Sequence, residues 1–197
     1  MKKIMFNDRY VLTDAAIEGI KTNTRRIEGG DQFQLAANSA EEFFYEKDAG
    51  YIVMCRQGVE IFRHKCRYKV GEVVAVAQSY NSFYDDTYNP VLFPVGAGWN
   101  NKMFVKPELM PHRIRISGIK CERLQDISDE DCFKEGINAS NSHEIGYGIP
   151  WVYEFAGSKM VYYTPLEAFA ALIDKVSGRG TWASNPWVVA YEFELVK

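Results

Sequence analysis

The sequence predicts one α+β domain organised around a mixed β-barrel with short flanking helices. Short runs of β-branched and aromatic residues recur along the chain, and no helical pattern is long enough to organise a helical core. Size agrees with this, because 197 residues suit one domain with insertions better than two domains that each need a core. We therefore treat residues 1–197 as a single domain.

Six strands account for the predicted barrel, each a run of apolar, β-branched or aromatic residues bounded by turn residues. Arg56–Gly58 separates two of these runs and predicts a hairpin. The predicted strands lie near residues 3–6, 51–55, 59–67, 72–77, 112–121 and 187–196. We expect all six to close into one barrel.

Four short helices are predicted from their capping signals. Ser39–Glu42 and Thr164–Glu167 have the capping-box pattern, while Ser128 precedes three acidic residues and Gly136 can end that helix. The predicted helices span about 12–20, 43–45 and 128–136, with the last beginning at 164. Segments without steady periodicity, or outside the expected barrel order, are read as insertions at about 28–50, 80–111 and 138–163.

Composition narrows the possible partners. Hydrophobic residues make up 47% of the chain and charged residues 25%, as in an ordinary globular protein. A net charge of -3 argues against a basic surface wide enough to follow a DNA duplex, so we expect any nucleic-acid site to be local. The chain lacks the run of about 18 apolar residues that a membrane-spanning helix needs, and its start turns polar too early for a signal peptide. Its cysteines form no C-x-x-C pair of the kind found in metal or redox sites. We expect a cytoplasmic protein with free thiols and no membrane partner.

A cation-rich segment follows the first helix and is predicted to form a turn. Residues 21–26 place Lys21, Thr24, Arg25 and Arg26 within six positions. Arginine offers a planar fork of donors and lysine a mobile ammonium, so the cluster suits an anionic or polar planar ligand. The plain alternative is a solvated basic turn, which composition alone favours.

Four motifs in a fixed order resemble the ASCH family, whose fold is a small β-barrel related to the PUA RNA-binding fold. Gly19–Thr24 is similar to the family's Gly-x-Lys-Thr-x-Thr element, and here arginine follows it. The strand entry at Tyr68–Val76 and the acidic helix at Leu124–Ile137 agree with the family pattern. Arg113–Ile116 and Asn185–Val188 further resemble the phage and prophage branch of the family.

The resemblance implies a cleft that binds RNA or a modified nucleoside without a metal or other cofactor. Some bacterial ASCH proteins are amidohydrolases that deacylate N4-acetylcytidine with a Lys, a Thr and a Glu. The corresponding residues here are Lys21 as base, Thr24 as nucleophile and Glu135 as acid, which gives a second interpretation. A third is a phage-associated interaction protein without catalysis. Arg113 and Arg115 are additional candidates for ligand binding.

A stripe of cations forms another candidate site, predicted from the residues alone. Arg63, Lys65, Arg67 and Lys69 alternate with other residues. In an extended chain they share one face at a spacing of about 6.6 Å. Such a stripe suits a phosphate backbone. The alternative is a charged outer face that discourages strand pairing at a sheet edge.

Aromatic residues in the long segment 80–111 leave two interpretations open. They either stack on nucleic-acid bases or fasten the segment onto the core, which is the more common use. These residues are Tyr80, Phe83, Tyr84, Tyr88 and Trp99.

Overall fold

A computed structural model describes residues 1–83, 96–141 and 151–196 and has a mixed α+β fold with several sheets and few helices. Helices α1 to α5 in the described ranges span Leu12–Ile17, Gly30–Ser39, Asp129–Lys134, Pro165–Ser177 and Thr181–Ser184. Strands β1 to β10 span Lys3–Ile4, Asn23–Arg26, Glu42–Glu46, Tyr51–Arg56, Val59–Lys65, Val73–Val76, Arg113–Arg123, Ile137–Asn141, Trp151–Phe155 and Trp187–Val196. None of the described helices is both long and apolar enough to cross a membrane.

The largest sheet has five strands in the order β1-β6-β7-β10-β2. β1 runs parallel to β6, and the other neighbours are antiparallel. β10 lies between β7 and β2, and its segment Val188–Tyr191 is buried at every position. A strand covered on both faces requires a continuous apolar run, which explains why this segment does not alternate.

The predicted strands divide between two sheets of the described structure. β4 and β5 form a separate three-stranded sheet with β3, and β8 pairs with β9 in a two-stranded sheet. The predicted hairpin between β4 and β5 is confirmed. Its turn residues Gln57 and Gly58 have φ values of 51° and 73°. Two consecutive positive φ values match the tight turns whose twist suits antiparallel strands.

Two local predictions in the N-terminal third are wrong. Residues 21–26 do not form a turn, because Asn23–Arg26 is strand β2 and pairs along β10. Residues 43–45 are not helical, because they lie within β3, which pairs with β4. The helix of this region lies upstream and ends at Ser39, so the capping pattern stands at its end rather than its start. In both segments strand pairing overrides a local signal.

Both later capping predictions are confirmed. Ser128 accepts a hydrogen bond from the backbone N–H of Asp131 at the start of α3. Thr164 does the same for Glu167 at the start of α4, with Pro165 at the first helical position. The region of residues 138–163 contains β8 and β9, which were not predicted, and its residues 142–150 lie outside the described ranges.

The described part of the segment 80–111 is fastened to the main sheet by a second hydrophobic cluster. Tyr80 and Met110 are buried there against Ala75 and Ala77, and the partly buried Phe83, Trp99 and Leu109 pack against the cluster. Core packing is therefore the role of these aromatic residues in the structure. Tyr84 and Tyr88 lie outside the described residues.

Candidate active site

A cavity of about 350 Å³ lies between β2, the end of α3 and one face of α4. Its volume falls in the range of small-molecule sites. The cavity brings together five of the residues singled out from the sequence, although they come from two distant segments. They are Lys21, Thr24, Arg25, Arg26 and Glu135.

The backbone between α1 and β2 positions Lys21. Gly19 follows the end of α1 with a φ of 76°, a left-handed conformation that glycine adopts without a steric penalty. The Thr22 N–H then donates a 2.9 Å hydrogen bond to the carbonyl of Lys134 in the last turn of α3. This bond ties the start of β2 to the end of α3, where Glu135 is the next residue.

Lys21 and Glu135 form a buried ion pair in the cavity wall. The Lys21 Nζ lies 2.6 Å from Oε2 of Glu135 and 2.9 Å from its carbonyl oxygen. The two side chains are only 2% and 6% exposed. Burial lowers the pKa of Lys21, Glu135 acts in the opposite direction, and the charges of Arg26 and Arg25 add to the lowering. The net shift brings Lys21 closer to acting as a base.

Arg25 connects Glu135 to two further carboxylates. Its side chain is fully buried and lies 2.7 Å from Glu122, 2.8 Å from Asp131 and 3.0 Å from Glu135. Lys120 approaches the first two of these carboxylates from the other side, at 3.0 and 3.1 Å. Each buried charge thus has an opposite partner, which a buried charge requires.

Asp131 holds Arg25 in place as a carboxylate. Burial opposes its ionisation, but hydrogen bonds from Arg25 and Lys120 outweigh burial and lower the pKa of Asp131 to about 2. Asp131 and Glu135 are four positions apart in and just after α3, so they share one helix face. The same face therefore presents two acceptors to one guanidinium.

Thr24 and Arg26 complete the polar side of the cavity. Both belong to β2, where Thr24 is opposite Tyr191 of β10 and is 6% exposed. Arg26 donates a 2.7 Å hydrogen bond through Nη2 to the carbonyl of Met5, and its guanidinium carbon lies 5.9 Å from the ring centroid of Phe6. Its Nε is buried without a hydrogen-bond partner among the described residues.

An apolar wall faces these polar groups. It consists of Leu12 and one stripe of α4, formed by Phe169, Leu172, Ile173 and Val176. Their spacing in the sequence predicts a helix face that contacts the core. In the structure Phe169, Leu172 and Ile173 belong to the core, and all four residues of the stripe line the cavity. The cavity therefore offers hydrogen-bonding and charged groups on one side and hydrocarbon on the other.

The cationic stripe lies outside this cavity. β5 ends at Lys65, so Arg67 and Lys69 do not continue its extended face. The charge of Arg63 is neutralised by two carboxylates, at 2.8 Å from Glu46 and 2.9 Å from Glu60. A continuous row of free cations along one strand is therefore not formed.

Arg113 and Arg115 are exposed on β7 and do not line the cavity. Arg115 lies 3.5 Å from Glu194 of the neighbouring strand β10. This is an ordinary cross-strand pair of opposite charges on a sheet surface.

Sequence reasoning missed several residues that support the site. Asp131 had a usable signal, since it precedes Glu135 by one helical turn. The sequence carried no such signal for Glu122, Lys120 and Phe6. Lys120 and Glu122 come close to β2 only because β7 and β2 both pair with β10, and Phe6 comes close to β2 only through the position of β1 in the fold. Phe6 places its ring centroid 5.8 Å from the Lys21 Nζ, within the range of a cation–π contact.

No protein-family model, curated protein or solved structure matches the chain. In the described ranges there is also no group of three or more His, Cys, Asp or Glu side chains arranged to hold a metal ion. The site is therefore interpreted from its own geometry.

Proposed function

We propose that the chain is an ASCH-type amidohydrolase, built on a PUA-like barrel, that deacylates an N4-acylated cytidine derivative in this cavity. The observation that supports it is the convergence of Lys21, Thr24 and Glu135 on one cavity. Lys21 and Glu135 are 114 positions apart, and no local structure requires them to meet. Clefts that gather a hydroxyl, a base and an acid are typical of acyl transfer.

In the first step the Thr24 hydroxyl attacks the acyl carbonyl carbon while neutral Lys21 accepts the hydroxyl proton. The bond between the carbonyl carbon and the N4 nitrogen then breaks. Glu135 gives a proton to the leaving nitrogen, which departs as the amino group of cytidine. The acyl group remains on Thr24 as an ester, and Lys21 passes the proton it accepted to Glu135 across their 2.6 Å contact. Water then attacks the ester carbon while Lys21 accepts a proton from the water. The bond to the Thr24 oxygen breaks, Glu135 gives a proton to that oxygen, and a carboxylic acid is released; transfer of the proton from Lys21 to Glu135 restores the starting pair.

The short contact between Lys21 and Glu135 suits these two roles. The pair shares one proton across 2.6 Å. When that proton lies on Glu135, the pair presents a neutral amine and a carboxylic acid, the base and the acid that the reaction needs. Burial favours the neutral amine of Lys21, because it removes water from the ammonium. The pair becomes competent without exchanging a proton with solvent.

RNA binding along the cationic stripe is the weaker candidate. It requires the stripe to be continuous with the cavity and free to meet phosphates. Arg63 is bound to two carboxylates, and β5 ends before Arg67. These contacts favour a charged edge strand, which discourages pairing with other chains.

The test is a panel of N4-acylated cytidines incubated with the purified chain, with cytidine release followed by chromatography. We expect release by the wild type and none by Thr24→Ala. Thr22→Ala is the matched control, because it removes a hydroxyl two positions away that does not line the cavity. If the wild type cleaves no member of the panel, the hydrolase assignment fails.

A further inference from the structure

Arg26 stands apart from the other charges of the site. The other charges form a network of ion pairs in which four positive and four negative groups balance. Two of these groups, Lys120 and Glu130, are exposed, and the rest are buried or half-buried. The members are Lys21, Arg25, Lys120, Glu122, Glu130, Asp131, Lys134 and Glu135. Arg26 also lines the cavity, but no carboxylate of the described residues lies within 4.0 Å of it. Among the described residues, then, the positive charge of Arg26 has no carboxylate partner in the cavity.

The guanidinium of Arg26 also has unused donors. Its one hydrogen bond among the described residues is from Nη2 to the carbonyl of Met5. Nε is buried in the wall, and none of the residues that the structure describes accepts a hydrogen bond from it. Buried donors are almost always bonded, and a guanidinium can donate five hydrogen bonds in a planar fork. A half-buried arginine with spare donors and an unpaired charge is suited to an acceptor that the ligand carries.

The position of Arg26 indicates which part of a ligand it meets. The neighbouring lining residues Met5, Ile27 and Val176 are 37%, 52% and 39% exposed, so they form the rim of the cavity. Lys21, by contrast, is 2% exposed and lies deep in the wall. A ligand whose amide reaches Lys21 presents its opposite end to Arg26. In a cytidine derivative that end is the ribose.

We propose that Arg26 binds an oxyanion and that the substrate is an N4-acylated cytidine 5′-monophosphate rather than the free nucleoside. The inference rests on the proposed function, because that function supplies the cytidine. A phosphate monoester offers the acceptors that an arginine fork binds in pairs. A carboxylate on the acyl group has the same chemistry, and the experiment separates the two sources.

The experiment measures binding by calorimetry in the Thr24→Ala protein, which leaves the amide intact. The ligands are N4-acetylcytidine, its 5′-monophosphate and N4-succinylcytidine, whose acyl group ends in a carboxylate. We expect the monophosphate to bind about 10- to 100-fold more tightly than the nucleoside. Adding Arg26→Gln should remove that advantage, and Arg26→Lys should keep part of it. Arg56→Gln, an exposed arginine in the β4–β5 turn region, is the matched control and should change nothing.

Equal affinity for the nucleoside and the monophosphate would overturn the inference. Tighter binding of the monophosphate that persists in the Arg26→Gln variant would also overturn it. The same holds if Arg26 increases the affinity for the succinyl ligand alone. Cleavage and binding are measured separately, so the two proposals can fail separately. Tighter binding of the monophosphate without any cleavage would contradict only the proposed hydrolase activity. Cleavage without tighter binding of the monophosphate would contradict only the proposed oxyanion subsite.

Discussion

The Lys21 ammonium lies 2.6 Å from Oε2 of Glu135 in a wall from which water is almost completely excluded. This contact joins β2 to the end of α3 and couples the protonation of the two groups. Arg25 donates a hydrogen bond of 3.0 Å to the other carboxylate oxygen of Glu135, so both oxygens of this carboxylate have a cationic donor. The chemistry and the stability of this region therefore depend on the same few hydrogen bonds.

Substitutions in the proposed catalytic group should separate binding from turnover. Thr24→Ala should lower kcat by about 10³-fold or more and leave ligand affinity largely intact, because the hydroxyl acts mainly in the transition state. Lys21→Met should lose both turnover and ligand affinity, since it removes the base and a cation. Steady-state kinetics and calorimetry with N4-acetylcytidine check this. Loss of affinity in Thr24→Ala would contradict the assigned role.

The pH profile should report Lys21. The pair is competent only while it holds one proton, so kcat/KM should fall as the pH rises through the pKa of Lys21, which burial places below its usual value of 10.5. Arg26 contributes to that lowering, so Arg26→Gln should move the falling limb to higher pH. Using N4-acetylcytidine, which has no phosphate, keeps the measurement independent of the proposed oxyanion subsite. A limb that stays in place would exclude Lys21 as the titrating base.

Arg25 should be essential for stability. Arg25→Gln leaves Glu122, Asp131 and Glu135 without their shared cation, and unpairing a buried charge costs about 3–5 kcal/mol in the free energy of unfolding. Urea denaturation measures this loss. Arg63→Gln is the matched control, because Arg63 also contacts two carboxylates but is exposed, and its unfolding midpoint should stay at the wild-type value.

Asp131 should make stability depend on acid pH. Its pKa falls from 3.8 in the unfolded chain to about 2 in the fold, so its stabilising contribution is complete above about pH 4 and is lost as the pH falls towards 2. The free energy of unfolding of wild type should therefore exceed that of Asp131→Asn by a constant amount near neutral pH, and this difference should shrink below about pH 4. Denaturation at a series of pH values checks this.

Asp129→Asn is the control for that series, because Asp129 is exposed in the same helical turn. The difference in the free energy of unfolding between wild type and Asp129→Asn should not shrink in this way at acid pH. A gap between wild type and Asp131→Asn that persists unchanged to pH 2 would mean that the carboxylate charge does not stabilise the fold.

The cationic stripe gives a test of RNA binding. If Lys65 and Arg67 contacted phosphates, replacing both with Gln would flatten the salt dependence of binding to single-stranded RNA by about 0.7 units per lost contact. We expect the slope to stay unchanged, because the proposed ligand site is the cavity. Filter binding over a range of salt concentrations decides the matter, and a flatter slope would favour the nucleic-acid interpretation.

Much of the fold could be predicted from local patterns. Ser128 and Thr164 begin helices because the side chain of each bonds a backbone N–H three positions later. The hairpin at Arg56–Gly58 could be predicted because its turn and its flanking strands are adjacent in the chain. Thr24 and Glu135 could be expected in the site only through the resemblance of four ordered motifs to a known family.

By itself, then, the sequence determined the elements and residue types whose cause lies within a few positions. Tertiary structure alone decided that Asn23–Arg26 is a strand, because its hydrogen-bond partners belong to β10. It also decided that the α4 stripe lines a cavity and that Arg25 meets Glu122 across 97 positions of chain. Capping and side-chain alternation act over one or two turns of chain, whereas strand partners and buried charge pairs are chosen by the packing of distant segments.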